Sequence, residues 1–163
     1  MKPTAIVYTS NTGYTAAYAA LLGEKTGLPT YALEDWKEGT EKPVIYLGWL
    51  MAGSVVKFKK AIKSCRIVAL CGVGLGDTGS QLAAVRKTNS IPEEVPLFTL
   101  QGGMNHEKLR GVYKSMIRVL TKVMTAKKNR TKDEDRMLDL LIKGGNYVCE
   151  ENLSSVLAWY NEQ

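Results

Sequence analysis

A chain of 163 residues, 45% hydrophobic and 23% charged, is long enough to bury a substantial core in one domain, and this balance excludes an intrinsically disordered protein. No apolar run approaches ~18 residues, which argues against a membrane-spanning helix, and Met1-Lys2-Pro3-Thr4 leads into a short strand instead of a secretory core, so a cytoplasmic protein is expected. Cys65, Cys71, Cys149 and the single histidine, His106, stand at no metal-ligand or C-x-x-C spacing, which argues against a metal site or a disulfide framework, while a net charge of +6 points to acidic partners such as nucleic acid, anionic lipid or carboxylate-bearing substrates.

The β-branched and aromatic run from Ala5 to Thr9 predicts a buried strand, and the alanine- and leucine-rich stretch from Ala16 to Leu22 predicts a helix. Between them, Ser10-Asn11-Thr12-Gly13-Tyr14-Thr15 supplies hydroxyl donors, a glycine that permits close approach, and the unpaired N–H groups of a helix start. Such a turn suits an anion. It contains no Lys or Arg and does not match G-x-x-x-x-G-K-S/T, so a terminal monophosphate fits better than a magnesium-bound triphosphate. A capped turn that binds nothing has the same local composition. The six residues resemble the phosphate loop of the flavodoxin family, S/T-x-T-G-x-T, which holds the phosphate of FMN. The resemblance implies FMN as cofactor, with Ser10, Asn11, Thr12, Gly13, Tyr14 and Thr15 as phosphate contacts.

Gly27 is the expected stop of the first helix, and residues 28–33 read as a short strand that Pro29 places at a sheet edge. A continuous apolar run over residues 43–48 predicts a buried strand, and residues 49–54 a loop. Large apolar side chains open that loop, which is unusual in contact with water. In the flavodoxin resemblance this is the second flavin-facing loop, and Trp49, Leu50, Met51 and Ala52 become candidates; Trp49, Leu50 or Met51 would pack on the isoalloxazine ring, or Trp49 would plug the edge of the core.

Residues 54–64 carry the pattern of an amphipathic helix with Val55, Phe58 and Ile62 inward. Residues 66–71 form the next predicted strand, and the glycine-rich run from Gly72 to Gly79 a loop. That run is not the dinucleotide fingerprint, because G-x-G-x-x-G would require glycine where Asp77 stands. By the resemblance it is the third flavin-facing loop, with Gly72, Val73, Gly74 and Asp77 at the polar pyrimidine edge of the ring. A helix over about residues 80–88 and a fifth strand over residues 94–100 follow. Five strands alternating with helices predict an α/β protein with a parallel sheet covered on both sides; the resemblance implies a flavodoxin-like three-layer α/β/α fold with the five-stranded order 2-1-3-4-5.

The chain departs from the simplest plan over residues 102–150, a helical insertion before the closing helix at about residues 151–160. Residues 106–127 have the period of a long helix with Val112, Met116, Val119, Leu120 and Val123 on an apolar side, and residues 135–143 that of a shorter one. Arg110, Lys114, Arg118 and Lys122 recur every fourth residue as a basic stripe, and the insertion carries essentially all of the net charge. Such a stripe is either a solvated face or a device for resting on an anionic membrane at the inner face of the cell. Few aromatics accompany it, so nucleic acid is not the expected partner.

This plan resembles the flavodoxin-domain branch that includes menaquinone-dependent protoporphyrinogen oxidase, with Gly48, Gln101-Gly102-Gly103 and the basic helix as looser points of similarity. The resemblance implies a flavoprotein moving electrons through FMN, with a redox partner protein or a membrane quinone as acceptor, or an oxidase acting on a porphyrinogen. A non-redox module that uses the loop for another phosphate ligand is the remaining alternative. No acid–base pair stands out as catalytic.

Overall fold

The computed structural model describes residues 1–163. Five strands, β1 (Ala5–Thr9), β2 (Thr30–Ala32), β3 (Pro43–Met51), β5 (Arg66–Gly74) and β6 (Leu97–Gln101), form a parallel sheet in the spatial order β2-β1-β3-β5-β6. Counted without the short strand β4 (Ser54–Val55), which pairs antiparallel with the end of β3, this is the order 2-1-3-4-5 expected from the sequence. Pro29 precedes the edge strand β2, where a missing N–H costs no ladder bond, and its carbonyl accepts from the Ile6 N–H at 2.9 Å.

Alternation along the strands builds two cores. Ala5, Val7, Val44, Tyr46 and Leu70 face one side, where they pack with Ala61 of α2 (Phe58–Ser64) and Val85 of α3 (Leu82–Asn89). Ile6, Ile45, Leu47, Ala69, Cys71 and Val73 face the other, against Tyr18 and Leu22 of α1 (Tyr14–Thr26) and Val156 of α6 (Ser154–Asn161). A single turn of 3₁₀ helix (Glu151–Leu153) leads into α6. The result is the flavodoxin-like three-layer arrangement.

Two expected loops are strand instead. β3 continues through Trp49, Leu50 and Met51, turns tightly at Ala52 and Gly53, both with positive φ, and returns as β4. This hairpin takes the first residues of the expected helix over 54–64, so α2 begins only at Phe58. Likewise Gly72, Val73 and Gly74 belong to β5, because that strand has hydrogen-bonded neighbours on both sides, Gly48 and Trp49 on β3 and Thr99 to Gln101 on β6.

The insertion consists of β7 (Gly103–Met104), α4 (Gly111–Ala126), α5 (Lys132–Lys143) and β8 (Gly145–Asn146). Its helices share a small third core of Met104, Leu109, Leu140 and Leu141. A capping box between Thr131 and Glu134 starts α5 three residues before the expected 135. Arg130 then joins the two helices, donating to the carbonyls of Met124 and Lys127 at 3.0 and 2.7 Å while pairing with Asp135 at 2.6 Å.

The expected apolar side of α4 divides. Tyr113, Ile117, Leu120 and Met124 pack against the third core, but Val112, Met116, Val119 and Val123 stand in water. Both sets satisfy a helical period, and the sequence does not say which of two adjacent apolar arcs meets the body of the protein.

Tyr46, fully buried on β3, accepts from the Thr9 hydroxyl at 2.9 Å and donates to the Val56 carbonyl at 3.1 Å. Burial pushes its phenol up to about 12 and the Cys65 thiol up to about 11. The folded protein therefore holds these protons more tightly than the unfolded chain, so their contribution is intact below the unfolded values and is lost as pH rises through about 9 to 12. Denaturation midpoints should be level across neutral pH and fall steeply over that alkaline window. Tyr46→Phe should cost roughly 1–2 kcal/mol at pH 7 and make the alkaline fall shallower. An unaltered slope would show that this phenol is not a titrating group.

Candidate functional site

Parallel strands bring the carboxyl ends of β1, β3 and β5 to one edge of the sheet, and the insertion roofs that edge. Between them lies a cavity of about 470 Å³, a size typical of small-molecule sites. Its wall runs from the turn after β1, past the hairpin between β3 and β4, to one side of α3; α4 and α5 close it above. No charged side chain lines it.

The turn after β1 forms the polar end. Gly13 takes φ +101° as the residue before α1, a conformation that a side chain would strain, and its N–H donates to the Ser10 hydroxyl at 3.2 Å. The first intrahelical bond runs from the Ala17 N–H to the Gly13 carbonyl at 2.9 Å. The N–H groups of Tyr14, Thr15 and Ala16 thus have no intrahelical acceptor, and no side chain caps the helix. The partial positive charge of this helix end lies at the cavity, where Asn11, Thr12, Tyr14 and Thr15 are lining residues. Burial raises the Tyr14 phenol above its ordinary value.

Although the turn itself has no cation, the fold brings one to it. A methyl group built on Gly13 would lie 3.8 Å from the Lys108 Nζ. Lys108 belongs to a turn closed by the Asn105 side chain, which accepts from the N–H groups of Glu107 and Lys108 at 3.0 and 3.2 Å, and neighbouring Leu109 anchors that turn in the third core. No carboxylate pairs with Lys108 in the structure. Lys108 stands 95 positions after Gly13 in the sequence, so no local pattern connects them.

The middle of the cavity is apolar. Trp49, Leu50, Met51 and Ala52 line it, as do Val73 and Gly74, together with Leu75, Met104, Ile117 and Met137. Trp49 meets Tyr113 of α4 edge to face, with centroids 4.9 Å apart at 82°, so an aromatic pair links the sheet edge to the roof. Leu50 leans over β5: a methyl on Gly72 would come within 3.0 Å of its side chain, and one on Gly74 within 3.1 Å. Space for Leu50 accounts for these two glycines on the strand. At the α3 end, Gln81 and Thr88 provide side-chain polar groups that the sequence reading did not select.

Of the residues selected from sequence, the structure gathers Asn11, Thr12, Tyr14, Thr15, Trp49, Leu50, Met51, Ala52, Val73 and Gly74 on one cavity. Ser10 and Gly13 shape the turn beside it without lining it, and Gly72 lies beneath Leu50. Asp77 pairs with Arg136 of α5 at 2.8 Å, an exposed contact between the loop after β5 and the roof. His106 lies outside the lining, and no group of His, Cys, Asp or Glu is arranged to hold a metal ion.

The roof is tied down at its neck. β7 and β8 pair antiparallel, and the Tyr147 N–H donates to the Gly102 carbonyl at 2.8 Å. Tyr18 of α1 donates to the Gln101 carbonyl at 2.5 Å and accepts from the Asn152 amide at 2.7 Å; the same amide donates to the Tyr147 carbonyl at 2.9 Å. A side chain at Gly103 would collide with the Gly145 carbonyl and lie 2.8 Å from the Tyr14 ring.

Comparison with protein-family models, with curated proteins and with solved structures finds no match to this chain.

Gly103→Ala should part β7 from β8. In hydrogen exchange, amides of the insertion should lose protection by tenfold or more, on the order of 1–3 kcal/mol of local stability, while β1, β3 and β5 keep theirs. Equal loss throughout the chain would mean that the roof and the sheet open as one unit.

Proposed function

We propose that this chain binds FMN in the cavity at the sheet edge and transfers electrons through it. The observation that carries the reading is the convergence of three strand ends on one uncharged cavity, with anion-binding groups at one end only. The unpaired first N–H groups of α1, Thr12, Thr15 and the Lys108 ammonium would hold the phosphate. The apolar walls around Trp49, Met51 and Val73 would take the ring system, and Gln81, with the backbone at Gly74 and Leu75, would meet its polar edge.

The fit is chemical as well as spatial. A ligand with a dianionic tail and a flat, largely apolar body matches a cavity with donors at one end and methionine, leucine and tryptophan along the rest. An uncharged lining leaves the ring's potential to be set by backbone dipoles and by exclusion of water. Bound flavin would supply the reversible electron chemistry, while the protein orients it and covers one face with α4 and α5. The roof also narrows what can reach the ring from outside, so the insertion is the element that would select the redox partner, whether protein or quinone.

Titration of the purified chain with FMN, followed by absorbance and tryptophan fluorescence, tests the reading. Saturable binding with quenching is expected, because Trp49 lines the cavity. Lys108→Ala should weaken FMN by roughly tenfold, equivalent to about 1.4 kcal/mol, and should leave riboflavin, which lacks the phosphate, unaffected. Absence of any spectral change in protein that remains folded by circular dichroism would remove the flavin reading.

A further inference from the structure

α4 has two unlike surfaces. One packs toward the cavity and third core through Tyr113, Ile117, Leu120 and Met124. Its outer surface carries Val112, Met116, Val119 and Val123, exposed by 68, 46, 61 and 61%. Successive spacings of four, three and four residues align these side chains in one straight ridge. No residue of α4 is fully buried, so a helix rich in large apolar side chains sits as the outermost layer of the molecule. A contiguous exposed ridge of this kind marks a contact surface.

Lys122, Arg118 and Lys114 follow the ridge round the helix on its side away from the cavity, at roughly 90°, 130° and 170° from it, and Arg110 precedes the first turn. All four are exposed, none takes part in an ion pair, and α4 contains no acidic residue. The helix therefore combines a straight apolar ridge with an unneutralised basic row that flanks the ridge at Lys122 and Arg118 and spirals away from it toward Lys114.

We propose that this face of α4 rests on an anionic lipid bilayer, with the valine ridge entering the boundary between headgroups and acyl chains, Lys122 and Arg118 reaching the lipid phosphates beside it, and Lys114 adding longer-range attraction from the outer side of the helix. Charge and shape choose this occupant. A bilayer accepts apolar side chains and offers anions at the next level outward, which is the order in which α4 presents its groups. Nucleic acid would meet the cations but gain nothing from a row of valines, and the exposed arc has no aromatic side chain for stacking. A second copy docked ridge to ridge would find no carboxylate on α4 for its own basic row. No helix is long and apolar enough to cross a membrane, so the contact is with the surface of the bilayer. Met116 also lines the cavity, which places the mouth of the site beside the contact. The proposal stands apart from the flavin reading, since the ridge and the row are there whatever the cavity holds.

Co-sedimentation of the whole chain with vesicles of phosphatidylcholine alone, or with phosphatidylglycerol added, provides the test. Binding should need the anionic lipid and weaken with salt. It should fall by roughly tenfold or more both in Lys114→Glu/Arg118→Glu/Lys122→Glu and in Val112→Ser/Val119→Ser/Val123→Ser. As a control independent of those variants' folding, Val119→Cys in a Cys149→Ser background can carry a polarity-sensitive fluorophore, which should shift to the blue only with anionic vesicles. No shift and no co-sedimentation, or a dimer in sedimentation velocity that buries the label and excludes vesicles, or tighter binding to duplex DNA than to the vesicles, would each overturn the proposal.

Discussion

Parallel pairing of β3 with β1 on one side and β5 on the other is the constraint on which the rest of the structure depends. With strands aligned from Ala5 against Val44 and from Pro43 against Arg66, all three must end at the same edge, and every segment that follows a strand starts there. Fully buried strands also leave little freedom of register, since a one-residue slip would exchange the two apolar faces and their packing partners. The cavity is thus a consequence of topology before any lining side chain is considered.

The glycines of β5 show how backbone and site are coupled. Gly72 and Gly74 point to the α2 and α3 face, where neighbouring positions of the strand are filled by Leu70 and further back by α-helix packing. Leu50 occupies the space that their missing side chains leave. This lets β3 extend three residues past Gly48 and reverse as a hairpin, and the hairpin carries Trp49 and Met51 to the cavity wall. A short approach between two strands therefore decides where the wall stands.

The insertion adds what the basic fold lacks. It supplies a third hydrophobic core, an aromatic partner for Trp49, and a lysine over the helix start that has no cation of its own. Its neck is held to α1 through Tyr18, so the roof and the helix that follows the first turn are joined by a hydrogen-bond network and not only by apolar contact. The excess positive charge sits on this roof, away from the uncharged lining beneath it. The surface ion pairs here, including Arg136 with Asp77, are mostly exposed and contribute little to stability.

By itself the sequence determined the α/β fold class, because continuous apolar runs, intervening helical periods and the punctuating Gly27 and Pro29 are local signals, whereas the strand order followed from the likeness of the first turn to the flavodoxin phosphate loop. It also marked the turn from Ser10 to Thr15, whose composition is legible without knowledge of distant residues. Tertiary structure decided where β3 and β5 end, since Trp49 to Met51 and Gly72 to Gly74 become strand only through partners across the sheet. It decided that Lys108 reaches Gly13, and that Gln81 and Thr88 face the cavity, since these approaches join residues far apart in the chain. It also decided which arc of α4 is buried: Ile117 and Val119 are both apolar and two positions apart, and only the docking of α4 against α5 and the third core separates a wall residue from a surface one. Local periodicity reports that a helix has an apolar side; the body that it packs against determines how much of that side remains in water.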